Sequence, residues 1–324
     1  MFGDSPQSLQ HLAPSRPVPS AARRGERVGL HLISLAPRGA QRELRMLSRL
    51  SGLLGHGHPS QLRVQGNRVR FKGVKPISQA NSGVAAARNT GIKASTGELV
   101  AFIDSDDLWH SRKLERQVQS LREAGDVAFV YTGYEMIDPF GRLLRTVRPD
   151  PRFQGAIYEK LWTEDNNILG PTIMVEREKL YRVGLFDERF HVGENLDLRL
   201  KLARIGIVSF VDDVLYRYRK HPESLTADSR VGLEHMQKLI DYHLADPKTP
   251  REIELRRRAL SRYCQREADV HFARAEFAQA LGSYRRSWRG SGKKGEILVK
   301  SLRCLLGRPG NAFLRRLRRR RTDR

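Results

Sequence analysis

Three carboxylates in four residues, Asp104, Asp106 and Asp107, follow the apolar run Leu99-Val-Ala-Phe-Ile103. Hard divalent cations take oxygen ligands, and Mg²⁺ or Mn²⁺ is held by one or two protein carboxylates while ligand phosphates complete the shell. A short acidic turn at the end of a buried strand suits that task better than a calcium cage would. The same acids could instead cap the chain around Leu108 and Trp109, so both roles stay open on sequence grounds. A little more than ten residues upstream, Gln79-Ala-Asn-Ser-Gly-Val-Ala-Ala-Ala-Arg-Asn-Thr-Gly-Ile92 supplies complementary chemistry. Gly83, Ala85, Ala86 and Ala87 would let a ligand approach a helix closely, the helix N-terminus favours an anion, and Arg88 can reach a diphosphate. Tight packing of helix on sheet explains the alanines but not the arginine among them.

Such groups need a frame to position them. Val69 and Phe71 mark a short strand, Ser82 to Ala94 a helix rich in Ala and Gly, and Glu98 to Asp104 a buried strand. Arg112 to Glu123 reads as a helix, with Leu114, Val118 and Leu121 on one face, Ser111 as its cap and Gly125 as its stop. Val127 to Ile137 reads as another strand, and further strands are expected at Thr172 to Val175 and Ile207 to Tyr218. An amphipathic helix from Asn195 to Arg204 separates these last two. The alternation predicts an α/β sheet, with ligands at the carboxyl ends of its strands. Before it, residues 1–66 are rich in Pro, Ser, Gly and Arg, and their one helical stretch, Gln41 to Leu54, reads as a surface helix. From Val231 onward the pattern is helical and basic. Phe272, Ala275, Phe277, Ala278, Leu281 and Tyr284 are spaced as in one helix pair of a tetratricopeptide-like repeat, or as in a plain helical hairpin packed on the core.

Composition narrows the classes. The chain has 324 residues, 39% of them apolar, enough for one large or two small domains with real cores. Its net charge of +23 is uneven. Residues 1–73 carry 12 basic and 3 acidic side chains (+9), residues 251–324 carry 22 and 7 (+15), and residues 74–250 carry 25 and 26 (−1). A neutral centre with carboxylates to spare argues against phosphate-backbone binding there and makes nucleic acid an unfavoured partner. The end, Ala312-Phe-Leu-Arg-Arg-Leu-Arg-Arg-Arg-Arg321, sets Phe313, Leu314 and Leu317 among arginines, a pattern suited to contact with an anionic membrane surface. No apolar run is long enough to span a bilayer and no signal segment is legible, so a cytoplasmic chain is expected, with peripheral contact at the inner membrane face. Cys264 and Cys304 have no metal-ligand spacing, which excludes a disulfide scaffold and a zinc finger.

Four ordered segments resemble the family 2 glycosyltransferases, the inverting group with a GT-A nucleotide-sugar-binding fold. Gln79 to Gly91 is similar to the family's helix segment, and Leu99-Val-Ala-Phe-Ile-Asp-Ser-Asp-Asp-Leu-Trp109 to its Asp-X-Asp strand end. Phe186-Asp-Glu188 with Gly193-Glu-Asn-Leu-Asp-Leu-Arg-Leu200 resembles the acceptor-site helix. Leu215-Tyr-Arg-Tyr-Arg-Lys-His-Pro-Glu-Ser224 resembles the closing segment. The resemblance covers Arg68 to Thr226 and implies a Rossmann-like GT-A sheet, incomplete on its N-terminal side, followed by a helical C-terminal region. The organisation expected is an atypical basic segment over 1–66, a catalytic domain over 67–230 and a basic helical region over 231–324.

The resemblance also implies roles. A nucleotide-sugar donor would meet Arg88, Asp104, Asp106, Asp107 and His221, with Mg²⁺ or Mn²⁺ at Asp104 and Asp106. Asp106 is the expected direct ligand, Asp104 a contact to ribose or sugar, and Arg88 a contact to diphosphate or ribose. A hydroxyl of a glycan or lipid-linked acceptor would attack the anomeric carbon, deprotonated from the side of Glu194, Asn195 and Asp197. The setting implied is cell-envelope polysaccharide or glycolipid synthesis. Two features depart from the pattern. The family opens with two strands ending in Pro-X-Tyr-Asn-like and Asp-Asp-Gly-Ser-like turns, and residues 1–66 contain neither. A shifted reading frame upstream of codon 67 would produce such a stretch, and another frame is then expected to encode those turns. Asn195 stands where the family places an acid, the expected base. A catalytically impaired transferase, or a non-enzymatic scaffold binding membrane or nucleic acid through its basic ends, are the competing readings.

Overall fold

A computed structural model of the chain describes residues 30–35, 77, 79–104, 106–220 and 229–307. The sheet strands are β1 (Leu30–Leu35), β2 (Leu99–Asp104), β3 (Leu108–Trp109), β4 (Val127–Ile137), β5 (Leu143–Val147), β6 (Met174–Glu176) and β7 (Ile207–Arg219). The α-helices are α1 (Gly83–Ala94), α2 (Lys113–Ala124), α3 (Tyr158–Thr163), α4 (Arg177–Arg182), α5 (Glu194–Ile205), α6 (Ser229–His243), α7 (Pro250–Ala273), α8 (Phe277–Ser287) and α9 (Lys294–Leu305). The expected strand at Val69 and Phe71, the helix at Gln41 to Leu54, His221 and the segment 312–321 lie outside the described residues.

The strand order is β1-β2-β6-β4-β7-β3, with β5 added along the end of β4. β4 and β7 pair in parallel, whereas β6 lies antiparallel to both β2 and β4. It follows that β2, β4 and β7 run the same way and that their carboxyl ends, Asp104, Ile137 and Arg219, share one edge. The sheet is mixed, because β6 is inserted between β2 and β4. Both of its faces are covered. In β2, Val100 and Phe102 enter one core while Ala101 and Ile103 enter the other, and this two-sided burial is why the strand reads as an unbroken apolar run. α2 covers one face through Leu114, Val118 and Leu121. The other face packs against α5, α6 and α7 through Leu198, Leu202, Leu239, Ile240 and Leu255.

The sequence reading finds no strand pair in residues 1–66. The described part of that segment is one strand, β1, which pairs antiparallel to β2 over Leu30 to Leu35. The cap of α2 also differs from expectation. Ser111 does not cap it. His110 Nδ1 accepts from Arg112 N at 3.2 Å and His110 O accepts from Lys113 N at 2.9 Å, so the histidine satisfies the first amides. Gly125, with φ 71°, ends the helix as its lack of a Cβ allows.

Packing changes character later than residue 230. α6 belongs to the main core, and α7 joins two cores, with Leu255 and Ala259 in the first and Ala268 in a second formed with Ala280, Tyr284, Ile297 and Cys304. A capping box starts α7: Thr249 Oγ1 accepts from Glu252 N (3.2 Å), and Glu252 Oε2 accepts from Thr249 N (3.0 Å). The residues with tetratricopeptide-like spacing fall at the end of α7 and in α8, a helical hairpin extended by α9 and packed on the core through α7. No helix among the described residues is long and apolar enough to cross a membrane.

Candidate active site

Arg88 is the centre of the site. It lies on α1, and its side chain is only 3% exposed. Nη2 donates to Asp104 Oδ1 (2.9 Å), and Nη1 donates to Glu194 Oε1 and Asn195 Oδ1 (2.9 Å each). The guanidinium also lies 5.2 Å from the centre of the Phe186 ring. One side chain thus ties the end of β2 to the first turn of α5, although 106 residues separate Arg88 from Glu194. The resemblance implies a contact from Arg88 to the diphosphate or ribose of the donor. In the structure Nη1 and Nη2 are turned inward onto two carboxylates and an amide, because helix α1 packs where the acidic strand end and α5 converge.

Its neighbour Asn89 does for the preceding loop what Arg88 does for α5. Asn89 Nδ2 donates to Phe186 O and Glu188 Oε1, and Asn89 Oδ1 accepts from Phe186 N at 3.0 Å. The Ala-Arg-Asn run of α1 therefore holds both halves of the acceptor-side motif against the sheet.

The acids at the end of β2 divide by environment. Asp104 keeps 31% of its side chain exposed, and Asp106 is half-buried. Asp107 is buried. Its Oδ2 accepts from Tyr216 Oη (2.5 Å) and its Oδ1 from Arg219 N (2.7 Å). Burial pushes the Asp107 carboxyl up to about 8 against the pull of those two donors. Burial also raises the Tyr216 hydroxyl well above its ordinary value, so it keeps its proton and donates. Leu108 and Trp109 form β3, paired with Tyr216 and Arg217, not a capped turn. The capping alternative is thereby replaced: Asp107 anchors the turn to β7. Arg219 completes the anchor, its Nε donating to Asp106 O at 2.8 Å and its Nη1 to Pro139 O at 3.0 Å.

The three acceptor-side candidates separate as well. Asp197 is fully buried and bonded to Lys201 Nζ (2.9 Å) and His243 Nε2 (2.8 Å), joining α5 to α6 away from the other site residues. Glu194 and Asn195 stay together, with Asn195 Nδ2 donating to Glu194 Oε1 at 2.8 Å. Gly193, at φ 91°, lets the chain turn sharply into α5. Gly170 packs so closely on Asn195 that a methyl group there would lie 2.8 Å from Asn195 Cβ and closer still to its amide. Arg199, one turn further on, donates to Asn195 O (3.1 Å), Asn166 Oδ1 (3.1 Å) and Ile168 O, fixing the 166–168 segment beside α5. Burial lowers the Arg199 guanidinium to about 10.

Among the described residues no cluster of three or more His, Cys, Asp or Glu side chains could by itself enclose a metal ion. Two carboxylates at an accessible strand end fit an ion whose remaining ligands come from phosphates. Sequence reasoning missed Asn89, Gly170, Arg199, Tyr216 and Arg219 as site residues. Asn89, Arg199, Tyr216 and Arg219 fall inside segments whose pattern signalled the site, and Gly170 does not.

Comparison with known proteins agrees with this geometry. The profile of glycosyltransferase-like family 2 matches residues 68–239. The chain belongs to this family. An uncharacterized glycosyltransferase of Rickettsia typhi is 32% identical over 162 residues, covering 49% of the chain and 51% of the relative. The putative teichuronic acid biosynthesis glycosyltransferase TuaG of Bacillus subtilis is 31% identical over 155 residues (46% and 58%). The amylovoran biosynthesis glycosyltransferase AmsB of Erwinia amylovora is 31% identical over 144 residues (42% and 48%). This family 2 glycosyltransferase-like chain spans about half the length of these curated relatives. Its mixed α/β sheet with a helical C-terminal region is the GT-A-like arrangement that the four motifs imply.

Proposed function

We propose that the protein transfers a glycosyl group from a nucleotide-sugar to a hydroxyl of a glycan or lipid-linked acceptor in surface polysaccharide assembly. The observation that carries this reading is the Arg88 network, which holds the acidic strand end and the start of the acceptor-side helix as one unit. Asp106 and Asp104 would hold Mg²⁺ or Mn²⁺, which would neutralise the diphosphate as it leaves. The acceptor oxygen forms a bond to the anomeric carbon as the bond from that carbon to the diphosphate oxygen breaks, with inversion. The acceptor proton passes to a carboxylate. Asp197 is unsuited, because it is buried between Lys201 and His243. Asn195 is an amide and accepts no proton at neutral pH. Glu194 is the remaining acid, and a positioned general base contributes roughly 10² to 10⁴ in rate. Arg88, Asn89 and Arg199 act as positioning residues. The relatives named for teichuronic acid and amylovoran biosynthesis support an extracellular or envelope polysaccharide as the product.

The test is thermal stabilisation by a nucleoside diphosphate with and without Mn²⁺. Metal-dependent stabilisation of the parent, absent in Asp106→Asn, is the expected result, since an amide cannot replace the charge that holds a hard cation. Equal stabilisation of parent and variant removes Asp106 from the site. Stabilisation of neither favours the impaired reading, to which Asn195 lends weight.

A further inference from the structure

The last described helix is apolar on two sides. Ile297 and Cys304 of α9 are buried with Ala268, Ala280 and Tyr284, as expected of the final element in a helical array. Leu298, Val299, Leu302, Leu305 and Leu306 are nevertheless between 50% and 68% exposed. At about 100° per residue these five fall within an arc of about 120°, opposite the buried side. Single exposed leucines are ordinary, whereas a stripe of five makes a contiguous apolar patch of the kind that marks an interaction surface. Trp288, 39% exposed, lies on the turn before α9, with Lys294 Nζ 5.9 Å from its ring. From Lys293 to Arg324 the sequence carries 12 basic and 2 acidic residues, a net +10.

We propose that α9 is a membrane-docking helix. Its stripe of Leu298, Val299, Leu302, Leu305 and Leu306 enters the surface of an anionic phospholipid bilayer, Trp288 lies at headgroup level, and Lys293 and Lys294 at the helix start meet the lipid phosphates. Charge selects this occupant. A second copy of the chain would bring the same positive charge against itself, and nucleic acid would use the arginines but not the leucines. An apolar stripe, an interfacial aromatic and a one-signed basic run together are the signals that hold a helix in a bilayer interface. Phe313, Leu314 and Leu317 on the sequence side are no longer the only apolar groups available for this contact. The inference does not depend on sugar transfer, because lipid binding is read without donor or acceptor.

The experiment is sedimentation of the full chain with vesicles of phosphatidylcholine alone and with about one-third phosphatidylglycerol. The parent is expected to sediment with the anionic vesicles and to stay in solution with the neutral ones. Leu298→Ser/Leu302→Ser/Leu305→Ser should lose at least about tenfold in partitioning while keeping the parent's circular dichroism and Tm. Trp109 and Trp162 are buried, so a blue shift of tryptophan emission on vesicle binding reports Trp288, and Trp288→Phe should abolish it. Equal sedimentation of parent and triple variant overturns the proposal, as does failure of the parent to bind anionic vesicles. A parent dimer that the triple variant dissociates would assign the stripe to a second copy. A large fall in lipid-free Tm in the variant would assign it to the chain's own folded contacts. Either of these also overturns the proposal.

Discussion

Arg88→Met distinguishes an arginine that builds the site from one that waits for a diphosphate. The guanidinium pairs with both Asp104 and Glu194, whose side chains are 31% and 9% exposed. Removing it leaves Glu194 nearly out of reach of water, with the Asn195 amide as its remaining donor. Breaking a buried ion pair from one side costs about 3 to 5 kcal/mol, a large share of the roughly 5 to 15 kcal/mol that holds a domain folded. The Asp104 arm adds little, because that carboxylate can turn to solvent. Urea unfolding followed by circular dichroism should therefore show a loss of about 3 to 5 kcal/mol. Adding Glu194→Gln removes the stranded charge and should recover about half of the loss or more, a coupling that a double-mutant cycle reads directly. An Arg88→Met chain as stable as its parent would refute the reasoning, and so would a double variant that recovers nothing.

Three further outcomes follow from the same geometry. Because burial raises Asp107 to about 8, the folded chain keeps a proton that the unfolded chain releases near pH 4. The stability this group provides is fully present below about pH 4 and is lost toward pH 8, at a rate of up to about 1.4 kcal/mol per pH unit. Asp107→Asn, able to accept from Arg219 N as before, should flatten that decline in urea unfolding at pH 5, 6, 7 and 8, and equal slopes in parent and variant would contradict the assignment. Gly170→Ala should cost about 1 to 3 kcal/mol and reduce turnover more than stability, because the added methyl displaces Asn195; full activity in the variant would show that the asparagine's placement does not matter. Asn195→Asp sets a second carboxylate beside Glu194, where the two would share a proton and one would become the stronger base at neutral pH. Steady-state assays should show turnover raised at least about tenfold, and unchanged turnover would show that the asparagine is tolerated.

How much of this was legible in the sequence depends on the range of the interaction. β2 and the first half of β4 were legible because each is buried on both faces and reads as a continuous apolar run. The helix from Gly83 was legible because its small residues and its Ala-Arg-Asn run are local. The acidic turn could be found, but not the division of labour within it. Which of Asp106 and Asp107 turns inward is decided by Tyr216, 109 residues further along the chain, and no spacing near the turn carries that information. Arg88 is the same case: a cation among alanines suggests a ligand until β2 brings Asp104, and α5 brings Glu194 and Asn195, to take its donors. Asp197 shared a motif with Glu194, yet the packing of α6 against α5 brings His243 to it and takes it out of the site. β1 is a six-residue stretch, Leu-His-Leu-Ile-Ser-Leu, inside a segment of atypical composition, and so short a stretch is not decided by periodicity.

The proposal makes the acidic strand end, joined through Arg88 to Glu194, one unit for metal-assisted glycosyl transfer. Release of nucleoside diphosphate from a panel of nucleotide-sugars, with Mg²⁺ or Mn²⁺ and with chelator, in the parent and in Glu194→Gln, is the decisive measurement. Release from at least one donor is expected, stopping with chelator and falling by about 10² or more in the variant. Release from none of the donors, or release that ignores both chelator and the loss of Glu194, would contradict the proposal.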